Sequence, residues 1–153
     1  MPRINYAKLS PGPYDAMEHI DRYLHECHVE QKLLHLIRLR ASQLNHCAYC
    51  IDMHWKDLRA LGESEQRLYG LDAWRESPYY TDRERAALAW TEAVTFVAET
   101  GVPDSVYQAA RAHFSEAEVA DLTLAVAAIN AWNRLSIAAR APAGKYRSAV
   151  ATA

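Results

Sequence analysis

A chain of 153 residues with 50% apolar and 24% charged content supports one globular domain whose core is large enough to need no disulfide. Its formal net charge of −2 and pI near 6.4 supply no basic field for nucleic acid, and Lys and Arg are scattered. The N-terminus Met1-Pro2-Arg3-Ile4-Asn5-Tyr6 has no apolar signal core, and the most apolar stretch, Leu122 to Ile129, is too short to span a bilayer; a soluble, cytoplasmic protein with no membrane partner is expected.

Pro11, Gly12 and Pro13 are turn formers, so residues 1–14 read as an extended arm before a first helix from about Asp15 to Cys27. Leu33, Leu34, Leu36, Ile37 and Leu44 then recur with helical spacing, predicting a second helix from about Glu30 to Leu44. A third begins at the cysteines and carries Ile51, Trp55, Leu58 and Leu61 until Gly62 stops it. Ser64 and Glu65 start a short fourth helix before an irregular segment, Gly70 to Tyr80. Thr81-Asp82-Arg83-Glu84 is a capping box opening one long amphipathic helix that ends before Gly101. Pro103 suits the first position of a segment reaching about Phe114. Ser115-Glu116-Ala117-Glu118 repeats the capping box and opens the most apolar helix, whose alanines predict a place at the bundle centre. With no period-two alternation and no repeat of solenoid length, the reading is an all-α, single-domain bundle of about six to eight helices over residues 15–141, followed by a tail, 142–153.

The chemistry concentrates in Cys47-Ala48-Tyr49-Cys50-Ile51-Asp52-Met53-His54. Cysteines three apart at a helix start sit one above the other within disulfide reach, and thiols in a first turn feel the helix dipole, which favours thiolate. His54, four residues after Cys50, shares its helical face and can exchange a thiol proton. A structural disulfide does not suit a reducing compartment. Zinc would need two more ligands, His54 with His46 or His35, and none has a zinc-finger spacing; a c-type haem site fails because Ile51 follows Cys50. The reading therefore assigns no metal and no cofactor. Cys27 reads as a structural thiol, and His19, His25, His28 and His113 receive no role. Asn130-Ala131-Trp132-Asn133-Arg134 reads as a hydrogen-bond cluster between helices or subunits, because buried amides and a guanidinium need partners. Met17, Met53 and the tryptophans read as packing.

The run Leu36-Ile37-Arg38-Leu39-Arg40-Ala41-Ser42-Gln43-Leu44-Asn45-His46-Cys47-Ala48-Tyr49-Cys50-Ile51-Asp52-Met53-His54 resembles the alkylhydroperoxidase D and carboxymuconolactone decarboxylase family, as does Asn130 to Arg134. The match extends from the first helix to Arg140. This resemblance implies the alkylhydroperoxidase D type of helical domain, a homo-oligomer, and a cysteine pair that reduces a small hydroperoxide and is recycled by a separate thiol reductant protein. It also implies a proton relay through the cysteines, the later histidine and a glutamate twelve residues before the first cysteine. Here that position is His35. A hairpin turning at Asn45 and His46 brings His35 within about 3 Å of rise of His54, so proton shuttling survives. A neutral imidazole, however, cannot hold His54 protonated as a carboxylate would. Glu26, Glu30 and Asp52 are candidates for a displaced carboxylate, with Asp52 expected to face solvent.

The catalytic candidates are thus Cys47, Cys50, His54 and His35, and the leading expectation is a thiol-dependent peroxidase passing through a sulfenic acid. The family also contains lactone decarboxylase and isomerase chemistry that needs acid/base groups and no cysteines. A non-catalytic, redox-sensing oligomer is the third reading.

Overall fold

The chain reverses at Asn45 to Cys47 through a turn that the sequence signals only weakly. His46 adopts the left-handed conformation, with φ 55°, where glycine is usual. Its N–H donates to the carbonyl of Gln43 at 3.0 Å, and the Cys47 N–H to that of Ser42 at 3.0 Å, closing the end of one helix and delivering the chain into the next. The computed structural model describes residues 2–9 and 11–149. Met1 and Ser10 of the expected arm, and residues 150–153 of the expected tail, lie outside them.

Eight α-helices and no strand are present among the described residues: α1 Pro13–Glu26, α2 Gln31–Leu44, α3 Ala48–Ala60, α4 Glu65–Tyr69, α5 Asp82–Thr95, α6 Val97–Thr100, α7 Asp104–Arg111 and α8 Glu116–Ala139. Short 3₁₀ turns occur at Tyr6–Lys8 and Gly70–Ala73. Three elements differ from the reading of the sequence. α1 begins at Pro13 because proline's fixed φ suits a first helical position, and the Asp15 carboxylate accepts the Gly12 N–H at 2.9 Å. Pro103 is the residue before α7, not its first. The long fifth helix is broken at Phe96 (φ −101°, ψ 37°), where the Thr100 hydroxyl donates to the freed carbonyl of Ala93 at 2.9 Å; Gly101, φ 61°, then ends α6.

α2 lies between α3, α5 and α8, and α8 also packs on α1 and α7. Leu34, Ile37, Leu58, Leu88 and Leu122, from α2, α3, α5 and α8, are completely buried. Each contributes about 2 kcal/mol of transfer free energy. Arg40 ties the segment after α4 to this core, through Asp72 at 2.6 Å and Glu92 at 2.8 Å. The Trp74 indole donates to the same Glu92 carboxylate at 2.8 Å. No described helix is long and apolar enough to cross a membrane.

Candidate active site

Cys47 is the residue immediately before α3, in an extended conformation, and Cys50 lies one turn inside that helix. Both are buried free thiols, and their sulfurs are 2.7 Å apart. Two thiols that close hold one proton between them more readily than none or two. The contact with Cys50 is the main influence lowering the Cys47 thiol to about 7; the Cys50 backbone amide, Asn133 and Ser136 act in the same direction, and burial opposes them. The Cys47 sulfur makes no capping hydrogen bond, so the α3 amide acts on it as a dipole rather than as a formed cap. Cys50 is pushed upward, first by the same sulfur contact, then by burial and the charge on Cys47. Access distinguishes the pair in the opposite sense: Cys50 lines a cavity of about 1050 Å³, and Cys47 is not among its lining residues.

His35 on α2 and His54 on α3 meet inside that cavity, their Nδ1 atoms 3.2 Å apart and their ring centroids 5.4 Å apart. One Nδ1 must carry the proton and the other accept it. Burial is the largest cause that lowers His35 to about 4, and the Arg38 guanidinium adds to it while Asp57 opposes it. His54 is pushed well below its usual range by burial, then by His35 and Arg38. Both imidazoles are therefore neutral near pH 7. His54 Nε2 is buried with no hydrogen-bond partner, so the anticipated S–H···N bond to a thiol is not formed.

The carboxylate nearest the pair is one that the sequence reading passed over. Asp57 Oδ2 lies 3.8 Å from His35 Nδ1. Its other oxygen, Oδ1, accepts the Tyr146 hydroxyl at 2.9 Å and the Ser148 hydroxyl at 2.6 Å. The available signal was spacing: Asp57 is three residues after His54, on the same face of α3. Of the carboxylates considered earlier, Glu30 pairs with Arg83 at 3.0 Å, Glu26 stands among the cavity-lining residues, and Asp52 binds Lys56 at 2.8 Å and the Gly144 N–H at 3.0 Å.

The cluster on α8 joins helices and also borders the site. Asn45 Nδ2 donates to Asn130 Oδ1 and to Asn133 Oδ1, each at 3.0 Å, and Asn133 Nδ2 donates to the Ser42 hydroxyl at 3.0 Å. Trp132 donates to Asp21 at 2.8 Å. Trp132 and Met53, read as packing, both line the cavity with Tyr14, Tyr49 and Tyr146. Cys27 is half-buried against the core and its thiol is raised by burial; His46 is exposed and outside the cavity lining.

A helical bundle with a thiol pair at the start of its third helix, facing an internal acid/base cluster, defines a class, and sequence comparison gives it a family. The chain belongs to the carboxymuconolactone decarboxylase family, which it matches over residues 11–93. It is 40% identical over 136 residues to the uncharacterized protein YdfG of Bacillus subtilis (strain 168), covering 89% of this chain and 92% of YdfG. Among solved structures it resembles ATU0492 of Agrobacterium tumefaciens, a protein of unknown function provisionally assigned to antioxidant defence as AhpD, with 46% identity and a TM-score of 0.91 over 95% of this chain and 100% of that one. A peroxidase-related protein with an alkylhydroperoxidase AhpD core from Ralstonia eutropha JMP134 shares the fold at 18% identity, TM-score 0.79, over 90% of this chain and 73% of that one.

Proposed function

We propose that this protein is a thiol-dependent peroxidase acting on organic hydroperoxides. The observation that carries the reading is the placement of Cys50 on a large, aromatic-lined cavity with a second thiol 2.7 Å behind it. A cavity of about 1050 Å³ exceeds the needs of hydrogen peroxide and suits a bulky organic group. The pair reacts as a monoanion. The charge rests mainly on Cys47, so the shared proton first crosses the 2.7 Å contact from Cys50 to Cys47; the resulting Cys50 thiolate, which borders the cavity, attacks the terminal peroxide oxygen, the O–O bond breaks, and the alkoxide leaves. His54, in the tautomer with Nε2–H, protonates the alkoxide; His35 Nδ1–H replaces that proton through His54 Nδ1, and solvent refills His35. Cys47 then gives up its proton and attacks the Cys50 sulfenic acid, releasing water and forming the disulfide. Two thiols are oxidised by two electrons, the peroxide is reduced to alcohol and water, and a separate protein dithiol restores the pair.

Single variants test the assignment. After cumene hydroperoxide, Cys47→Ser should retain a Cys50 sulfenic acid that a dimedone reagent traps, and Cys50→Ser should stay unmodified at Cys47. The reverse labelling would exchange the two roles, and no labelling of either would reject the peroxidase. A lactone decarboxylase or isomerase would draw on the same cavity and the His35–His54 pair; its activity would survive in the Cys47→Ser, Cys50→Ser double variant. We also propose a homo-oligomer, to be tested by sedimentation.

A further inference from the structure

We propose that His35, His54 and Asp57 form a binding site for a divalent transition metal of the zinc type, separate from the thiol pair. The geometry points there directly. A tetrahedral zinc with Zn–N bonds of about 2.05 Å places two nitrogen ligands about 3.3 Å apart, and the two Nδ1 atoms stand 3.2 Å apart. The third ligand is Asp57 Oδ2, 3.8 Å from His35 Nδ1, and the ligand atoms of the three residues all lie within 4.8 Å of one another.

The three side chains come from the facing helices α2 and α3, so the site is built on rigid elements. Asp57 has the orienting contacts of a metal ligand: Tyr146 and Ser148 bond to Oδ1 and leave Oδ2 turned toward the histidines. Metal at nitrogen needs neutral imidazole, and burial supplies it for both rings. All three residues line the cavity, which leaves a fourth position for water or a ligand atom, as in catalytic rather than structural zinc sites. Two imidazoles and one carboxylate suit Zn²⁺, Co²⁺ or Ni²⁺ and disfavour Mg²⁺ and Ca²⁺. The Arg38 guanidinium opposes a cation here, and Asp21, 3.5 Å from it, offsets part of that charge. Binding requires no thiol and no peroxide, so it stands or falls independently of the peroxidase reading.

The test is titration of the full-length, chelator-treated protein with Zn²⁺ against a chromophoric chelator, and with Co²⁺ followed by its visible spectrum. One equivalent should bind, with ligand-field bands and no thiolate-to-cobalt charge transfer, and the Cys47→Ser, Cys50→Ser protein should bind equally. His35→Leu should weaken binding tenfold or more, on the order expected for loss of a ligand. Tyr146→Phe, which keeps every ligand and perturbs only the Asp57 orientation, should weaken it about tenfold, and provides the test should His35→Leu fail to fold. Absence of saturable binding would overturn the proposal. So would binding unchanged in both His35→Leu and Tyr146→Phe, or binding lost with the cysteines and accompanied by thiolate charge transfer.

Discussion

Acidification from pH 7.5 to 5 should destabilise the fold through His35 and His54, well above the range in which most carboxylates titrate. In the unfolded chain both imidazoles take up protons as the pH falls through about 6.5. In the fold, His35 resists protonation until about 4. His54 is displaced in the same direction. Between these limits the unfolded state binds more protons, so stability is complete above about pH 6.5 and declines as the pH falls toward 4. For His35 alone the full difference is on the order of 3 kcal/mol, at about 1.4 kcal/mol per tenfold change in proton affinity. That is a large share of the roughly 5–15 kcal/mol available to a small domain. Urea unfolding at pH 7.5, 6 and 5 reads it directly, as a falling midpoint at constant slope. The His35→Gln, His54→Gln protein should lose most of this dependence. A midpoint that is flat or rises on acidification in the unsubstituted protein would refute the reasoning.

Replacing His46 by glycine should raise stability by about 0.5–1 kcal/mol, because a left-handed residue with a Cβ is strained there, and the thiol pKa should not move; urea unfolding and thiol titration check the two statements. Asn133→Ala should cost about 1 kcal/mol by removing the hydrogen bond that the Ser42 hydroxyl accepts and one of those that the Asn45 amide donates, and should also raise the Cys47 thiol pKa, measured by the pH dependence of alkylation. His35→Glu should increase the rate of peroxide reduction near neutral pH by about tenfold, because a carboxylate beside His54 favours its protonated form. An unchanged rate in stopped-flow reduction would show a site adapted to histidine. Zn²⁺ held between the two Nδ1 atoms occupies the path of proton transfer and should slow peroxide turnover reversibly, with activity returning on chelation.

Much of the bundle is legible in the sequence because its signals are local. Capping boxes at Thr81 and Ser115, each with a reciprocal side-chain bond in the structure, mark the starts of α5 and α8. Helical periodicity marks α2, and the spacing of Cys47, Cys50 and His54 marks the thiol site. Counting residues across the hairpin also brings His35 to His54. What stays hidden depends on contacts across the fold. The break at Phe96 rests on the Thr100 hydroxyl reaching Ala93, which the capping box at Thr81 cannot signal. Asp57 gains its orientation from Tyr146 and Ser148, far away in the chain. Trp132 and Met53 have the apolar character of packing residues, and only the tertiary arrangement makes them walls of a cavity. Likewise, access at Cys50 and not at Cys47 follows from the cavity shape, whereas the charge favoured at Cys47 comes first from the Cys50 contact that the Cys-x-x-Cys spacing makes, with Asn133 and Ser136 of α8 adding to it.

Under the proposed function, Cys47 and Cys50 act as one peroxide-reducing unit. Mass spectrometry of the reduced protein after one equivalent of cumene hydroperoxide tests this directly. The peptide carrying Cys47 and Cys50 should lose two hydrogens, one equivalent of cumyl alcohol should form, and Cys27 should be unchanged. A pair that stays reduced while the hydroperoxide persists would contradict it.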